Sequence, residues 1–177
     1  MYKSTGQHIQ YWKHRENINW KEAYFDSWNH PHRQMIIRHL RRFRFNSIFE
    51  SGCASGANLY LISKTFPGVR VGGIDLNEDA IKVAKEHLPR NGVIEQGNLL
   101  DIFLSDKSVD VVLCDMALIY ISPRFIHKAM KEICRVCRGG IILSEFHSNN
   151  FIKKWGLRLA TGYNAYNYKR LLERYGF

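Results

Sequence analysis

The chain has 177 residues, 45% of them hydrophobic and 24% charged, the balance of one folded domain and not of a disordered segment. No apolar run reaches the roughly 20 residues that cross a bilayer, and Met1 to Ser4 carry no apolar leader, so a cytoplasmic protein with no membrane partner is expected. The net charge of +10 sits at the ends: residues 1–50 hold nine basic and four acidic residues, residues 151–177 hold six and one, and residues 51–150 are balanced at eleven each.

Residues 1–30 are polar but rich in aromatics, with Tyr11, Trp12, Trp20, Tyr24, Phe25 and Trp28, and read as one or two short helices packed on a larger body. Pro31 suits the first turn of a new helix. Met35, Ile36, Leu40 and Phe43 form the predicted apolar face of that helix, from about His32 to Phe43, with most of its arginines elsewhere on the wheel. Ser47 to Glu50 is then a short strand. A glycine-rich turn leads into a helix from Asn58 to Phe66, stopped by Pro67-Gly68.

Val69 to Leu76 is the second strand. Asn77 caps a helix running to about Leu88, with Glu78 and Asp79 in its first turn. Gly92 to Gln96 is the third strand, and the apolar run Val109 to Cys114 the fourth, buried on both faces. Pro123 to about Cys137 is a helix ended by Gly139-Gly140. Ile141 to Glu145 is the fifth strand, and Asn164 to Tyr175 is helical. Alternating strands and helices predict an α/β fold: a doubly wound, mostly parallel sheet of order 3-2-1-4-5 with helices on both faces. Residues 1–44 form a helical lid and first helix, and residues 45–177 the Rossmann-like body.

In such a sheet ligands bind at the carboxyl ends of the strands, where strand order reverses. The segment Glu50-Ser51-Gly52-Cys53-Ala54-Ser55-Gly56 lies there. Gly52 permits a tight turn and close approach of a ligand. Gly56 lets the next helix pack on the sheet, and free N–H groups at that helix start, near Asn58, suit polar ligand groups. Asp75 ends the second strand, where a carboxylate can accept both hydroxyls of a ribose. An Asn98 amide suits an adenine edge, with Leu99 against the ring. Asp115 and Met116 follow the fourth strand, beside the glycine turn. A nicotinamide dehydrogenase would require G-x-G-x-x-G, but Ala54 holds the middle position. Cys134 and Cys137 have C-x-x-C spacing without a second pair, so no metal site is expected.

Together these segments resemble the class I S-adenosylmethionine-dependent methyltransferases of the small-molecule type. Ile48 to Gly56 resembles their first motif, and Gly73-Ile74-Asp75-Leu76-Asn77 the second. Gly97-Asn98-Leu99 resembles the third, with Asn98 where Asp is usual. Asp110 to Cys114 and the residues after it resemble the fourth, and Glu132 to Val136 with Gly139-Gly140 the approach to strand five. The resemblance implies S-adenosylmethionine as cofactor and S-adenosylhomocysteine as product. Glu50, Gly52, Cys53 and the turn through Ala54 would line the methionine end. Asp75 would hold the ribose, with Leu76, Asn98 and Leu99 at the adenine. Asp115 or Met116 would approach the methionine moiety through the backbone.

The family continues past a Gly-Phe pair into two further strands. This chain ends at Gly176-Phe177, so strands six and seven are expected to be missing, leaving an edge on strand five that favours a homodimer.

The chemistry implied is in-line methyl transfer to a small, anionic acceptor at oxygen or nitrogen, with no metal. His147 and Tyr120 are the candidate general bases. Tyr11 and Arg15, one helical turn apart, would cover the cofactor or pair with a carboxylate, with His32 and Arg33 as weaker candidates for that task. Two alternatives stand beside this reading. One is a nucleic-acid methyltransferase drawn to its substrate by the basic flanks; the fourth-strand motif departs from the Pro-Pro-aromatic pattern of that group, which favours the small acceptor. The other is a non-catalytic module that binds the cofactor.

Overall fold

The computed structural model describes residues 5–177; Met1 to Ser4, read above for a leader, lie outside them. Five parallel strands form one sheet in the order 3-2-1-4-5. They are β1 (Ser47–Ser51), β2 (Arg70–Asp75), β3 (Ile94–Gln96), β4 (Val109–Asp115) and β5 (Cys137–Ser144). The helices are α1 (Thr5–Lys13), α2 (Trp20–Ala23), α3 (Pro31–Leu40), α4 (Ala57–Thr65), α5 (Glu78–His87), α6 (Ile126–Val136), α7 (Phe151–Thr161) and α8 (Tyr168–Arg174).

The sheet is buried on both faces because successive side chains of each strand point opposite ways. In β1, Ile48 joins Ile36, Ile37 and Leu40 of α3, Leu59 and Ile62 of α4, and Ile81 of α5. Its neighbour Phe49 joins Val112 of β4 with Met130 and Ile133 of α6 on the other face. The parallel register aligns the strand ends: Glu50 lies opposite both Gly73 of β2 and Leu113 of β4, and Asp115 opposite Ser144 of β5. Four acidic residues, Glu50, Asp75, Asp115 and Glu145, therefore gather at one end of the sheet.

Three local features differ from the sequence expectation. The face of α3 turns out to be Ile36, Ile37 and Leu40, all buried, while Met35 is exposed; the helix ends at Leu40, so Phe43 is not on it. Gly139-Gly140 does not stop α6. The strand begins at Cys137 straight after the helix, and the two glycines lie inside β5 because a Cβ at Gly139 would meet Asp110 O at 2.6 Å and one at Gly140 would overlap the Phe43 ring. Residues 151–161, to which no element was assigned, form α7, capped by Asn150 and closed by left-handed Gly162. The β5 side of the sheet is not left bare at its carboxyl end either: His147 bridges Tyr166, whose N–H donates to Phe146 O and whose carbonyl accepts from Ser148 N–H.

The N-terminal segment is tied to the sheet's carboxyl end by specific bonds. Asn77 does two tasks. Its Oδ1 accepts the Ala80 N–H as the α5 cap, and its Nδ2 donates to Trp12 O (3.0 Å) and Arg15 O (3.2 Å). At the other end of α1, Thr5 Oγ1 accepts the Ser122 N–H at 2.6 Å. A cap contributes about 1 kcal/mol and each net hydrogen bond about 1 kcal/mol, so Asn77→Ala should lower unfolding stability by about 2–3 kcal/mol. Urea denaturation checks this; a loss no larger than that of a simple cap would show that the lid bonds contribute nothing.

Candidate active site

Under α1 and α2, at the carboxyl ends of β1, β2 and β4, lies a cavity of about 790 Å³, within the size range of small-molecule sites. Of the residues singled out in the sequence, Glu50, Gly52, Cys53, Ala54, Asn58, Asp75, Leu76, Asn98, Leu99, Asp115, Met116 and Tyr120 line it. Gly56, Tyr11, Arg15 and His147 do not. Gly56 starts α4 in the left-handed region, where a Cβ would meet Leu88 Cδ1 at 2.8 Å, so its task is packing.

The glycine turn is fixed by its backbone. Gly52 and Cys53 both donate to Ile74 O at 2.9 Å. Gly52 has φ +84°, and an added Cβ would lie 2.6 Å from Ala117 Cβ. Across the cavity, Ala54 and Met116 also hold left-handed backbone, with φ +46° and +54°. That conformation costs a non-glycine residue roughly 1–2 kcal/mol and tends to persist where the surroundings impose it, at functional turns.

Asp75 imposes the first of these. Its Oδ2 accepts the Ala54 N–H at 2.9 Å and its Oδ1 the Asn77 N–H at 3.0 Å. Burial nonetheless raises its pKa, against the lowering by those bonds. Each oxygen keeps a further lone pair for a ligand hydroxyl. Asn98 Oδ1 accepts the Leu100 N–H at 2.9 Å, which leaves the amide nitrogen as its ligand-facing chemistry.

Beside the turn runs a buried polar network. Asn58 Nδ2 donates to Glu50 Oε1 (2.6 Å) and to Asp115 Oδ2 (3.0 Å), while its Oδ1 accepts from Arg33 Nη1 (2.7 Å). Arg33 also donates to Ser27 O and Ser27 Oγ, so its guanidinium is engaged by the protein. Asp115 Oδ1 lies 2.8 Å from His32 Nε2, with Ser144 Oγ 3.3 Å from the same nitrogen. Glu50 is almost fully buried, and burial, only partly opposed by Asn58, pushes its pKa up to about 8. Its Oε2 has no hydrogen-bond partner, nor have the buried Ser55 Oγ and Trp12 Nε1, whose residues also line the cavity. Buried polar atoms without partners are uncommon. Three on one cavity mark a place for a polar ligand, and a carboxylate among them suits a cationic group.

Sequence reasoning passed over Glu145 as a strand end. Its Oε1 accepts the Ala117 and Leu118 N–H groups at 2.9 Å and its Oε2 the Ile119 N–H at 3.2 Å. It holds the loop that carries Met116 to Tyr120 against the cavity. Burial pushes its pKa up to about 7 despite these bonds. The available signal was positional: an acidic residue closing an apolar strand, as Glu50 and Asp75 do.

The two expected bases are placed differently. His147 pairs through its backbone with Tyr166 and sets its ring 6.4 Å from Tyr168, outside the cavity. Tyr120 lines the cavity within an aromatic cluster, its ring 5.2 Å from both His8 and Trp12 and 5.5 Å from Tyr163. Burial raises its pKa well above the ordinary value, so it keeps its proton at neutral pH. Arg15 does stack on Tyr11 (5.4 Å), but it also lies over Trp12 (4.7 Å) and donates to Tyr24 Oη. The α1 residues that reach the cavity are Thr5, His8, Ile9 and Trp12; the helical face is rotated from the expected pair.

Comparison with known proteins agrees with this architecture. The family model described as "Methyltransferase domain" matches residues 49–144, and the chain belongs to that family, with the Rossmann-like fold of class I S-adenosylmethionine-dependent methyltransferases. Among curated relatives, the ribosomal protein L11 methyltransferase of Desulforamulus reducens is 33% identical over 99 residues, 52% of this chain and 31% of the relative. Its namesake from Dictyoglomus thermophilum is 31% identical over 119 residues, covering 64% and 37%. The chain thus spans only about a third of the length of these relatives. Among solved structures, the YcgJ protein of Bacillus subtilis superposes with a TM-score of 0.68 at 18% identity over 82% of this chain and 68% of that one. The geranyl diphosphate C-methyltransferase of Streptomyces coelicolor A3(2), solved with Mg2+, geranyl diphosphate and S-adenosyl-L-homocysteine, gives 0.66 at 15% identity over 80% and 58%.

Proposed function

We propose that the cavity binds S-adenosylmethionine and that the chain transfers its methyl group to a small acceptor bearing a hydroxyl or an amine. The observation that carries this reading is Glu50 Oε2, a buried carboxylate oxygen without a partner on the cavity wall beside the glycine turn. Glu50 would accept the cofactor's ammonium group, Asp75 the ribose hydroxyls, and Asn98 Nδ2 the adenine edge, with Leu76 and Leu99 against the ring. The backbone at Gly52, Cys53 and Met116 would lie along the methionine moiety. When bound, the cofactor supplies a methyl group already activated by its sulfonium.

What the chain must add is alignment, exclusion of water and a destination for the acceptor's proton. Trp12, Trp20, Tyr24 and Tyr120 form an apolar cover over the cavity, which favours a small acceptor over a nucleic-acid strand. His32 replaces His147 as the proposed base. With His32 Nε2 donating to Asp115 Oδ1 (2.8 Å), Nδ1 is left as the lone-pair nitrogen. Arg33 is engaged by Ser27 and Asn58, so its guanidinium is not offered to an acceptor, and the reading does not require the acceptor to be anionic.

Equilibrium dialysis against labelled S-adenosylmethionine tests the reading. The chain should bind, and Asp75→Ala should weaken binding by about 1–3 kcal/mol, roughly 5- to 150-fold. An unchanged affinity would remove Asp75 from the ribose site.

A further inference from the structure

We propose that α7 is a membrane-surface anchor whose outer face beds into the interface of an anionic bilayer. Phe151 is 80% exposed, Ile152 75%, Trp155 58% and Leu159 62%, and no residue of the helix is buried. Phe151, Trp155 and Leu159 follow one another at intervals of four, and Ile152 lies three before Trp155, so the four side chains share one side. Four large apolar groups on one exposed helix are not scattered surface hydrophobics; they form a patch, and patches mark interaction surfaces.

The helix is complete without a partner. Asn150 Oδ1 accepts the Lys153 N–H at 3.0 Å, and Gly162 closes the far end with φ +77°. Helix formation therefore does not wait for whatever covers the apolar side.

Charge decides what covers it. The helix carries Lys153, Lys154 and Arg158 and no acidic residue. Lys154 and Arg158 also border a groove shared with Arg170 and Arg174 of α8. Between Glu145 and Glu173 the chain has no acidic residue at all. A second copy of the same face would set cations against cations. An anionic lipid surface meets both demands, since its headgroups pair with the basic rim while its acyl boundary takes Phe151, Ile152 and Leu159, and a tryptophan sits well at that depth. A helix lying in the surface needs no spanning run. Among the described residues no helix is long and apolar enough to cross a membrane, which leaves an interfacial helix untouched.

The test uses the whole chain and does not depend on its activity. Sedimentation with phosphatidylcholine vesicles containing about one third phosphatidylglycerol should give binding roughly ten- to a hundredfold stronger than with phosphatidylcholine alone, and this difference should fade at high salt. Brominated lipid should quench tryptophan emission in the wild type and not in Trp155→Phe. Phe151→Ser/Leu159→Ser and Lys153→Glu/Lys154→Glu should each abolish the binding while leaving the melting temperature unchanged, because the helix contributes nothing to the core. Equal binding to both vesicle types, quenching that survives Trp155→Phe, or retention of binding by the serine variant would overturn the proposal. Self-association that these variants abolish, with no vesicle binding, would overturn it in favour of a second copy on this face.

Discussion

Glu50→Gln should abolish most of the cofactor affinity and leave the protein as well folded as before, or better. Glutamine keeps the shape and can still accept from Asn58 Nδ2, but it cannot become the carboxylate that a bound ammonium requires. Truncating one side of a buried charge pair costs about 2–5 kcal/mol, so affinity should fall by roughly thirtyfold to several thousandfold. The effect on stability runs the other way and depends on pH. In the unfolded chain this carboxyl ionises near 4.5; in the folded, unliganded protein burial holds its pKa at about 8. Between those values the unfolded state has released the proton and the folded state retains it. Raising the pH therefore favours unfolding, by up to about 1.4 kcal/mol per pH unit until about pH 8. Glu145, raised to about 7, adds a slope of the same sign over a narrower window. In Glu50→Gln the Glu50 part of the slope should vanish, leaving the contributions of Glu145 and of Asp75, whose pKa burial also raises, and near pH 8 the variant should be the more stable unliganded protein. Urea denaturation at pH 5, 6.5 and 8 reads this directly. A wild-type stability that is flat or rising over the range would show that Glu50 is ionised in the empty cavity.

Gly52→Ala is expected to damage both the fold and the site. The residue has φ +84°, which costs alanine about 1–2 kcal/mol, and the new Cβ would stand 2.6 Å from Ala117 Cβ. Neither side can yield easily. The turn is held by two N–H bonds to Ile74 O, and Ala117 is held by its own N–H bond to Glu145 Oε1. Overpacking of that kind adds about 1–3 kcal/mol, so the total loss should be about 2–5 kcal/mol, with cofactor binding lost alongside it. The double variant Gly52→Ala/Ala117→Gly separates the two terms: it should recover the steric part and retain the backbone part. If the double variant is no more stable than Gly52→Ala, the contact with Ala117 is not what excludes a side chain there.

The strand ends were legible in the sequence because a parallel sheet turns one-dimensional order into a shared edge. A short apolar run closed by Glu50, another closed by Asp75 and a third closed by Asp115 must bring their carboxylates to the same end once the strands are parallel. What those carboxylates touch was not legible, because the partners are remote. His32 meets Asp115 across 83 positions of chain and Arg33 meets Asn58 across 25. His147 had the better address, just past β5, but the chain turns there to pair with Tyr166. Gly139-Gly140 misled because glycines demanded by close contact with Asp110 and Phe43 look, in sequence, like those that end a helix. Helix α7 escaped notice for a related reason. Its apolar residues face outward and its Gly156 weakens the helical signal, although Asn150 and Gly162 stood ready as cap and stop.

The cluster also explains why Glu50 and Glu145 are kept where they destabilise. Burial holds Glu50 largely protonated and Glu145 partly so near neutral pH, at the cost of stability; the first would meet the cofactor's ammonium under the proposed function, and the second fastens the Ala117–Ile119 turn. Sites of function often concede stability in this way.

The central claim, that the cavity takes S-adenosylmethionine with its ammonium on Glu50, is tested most directly by calorimetric titration with S-adenosylhomocysteine at pH 7 in two buffers of different ionisation enthalpy. The product carries the same ammonium and ribose. Binding should release nearly one proton per site, because Glu50 passes from protonated to ionised, and the release should vanish in whatever binding Glu50→Gln retains. No binding heat in either buffer, or binding with no difference between them, would contradict the account.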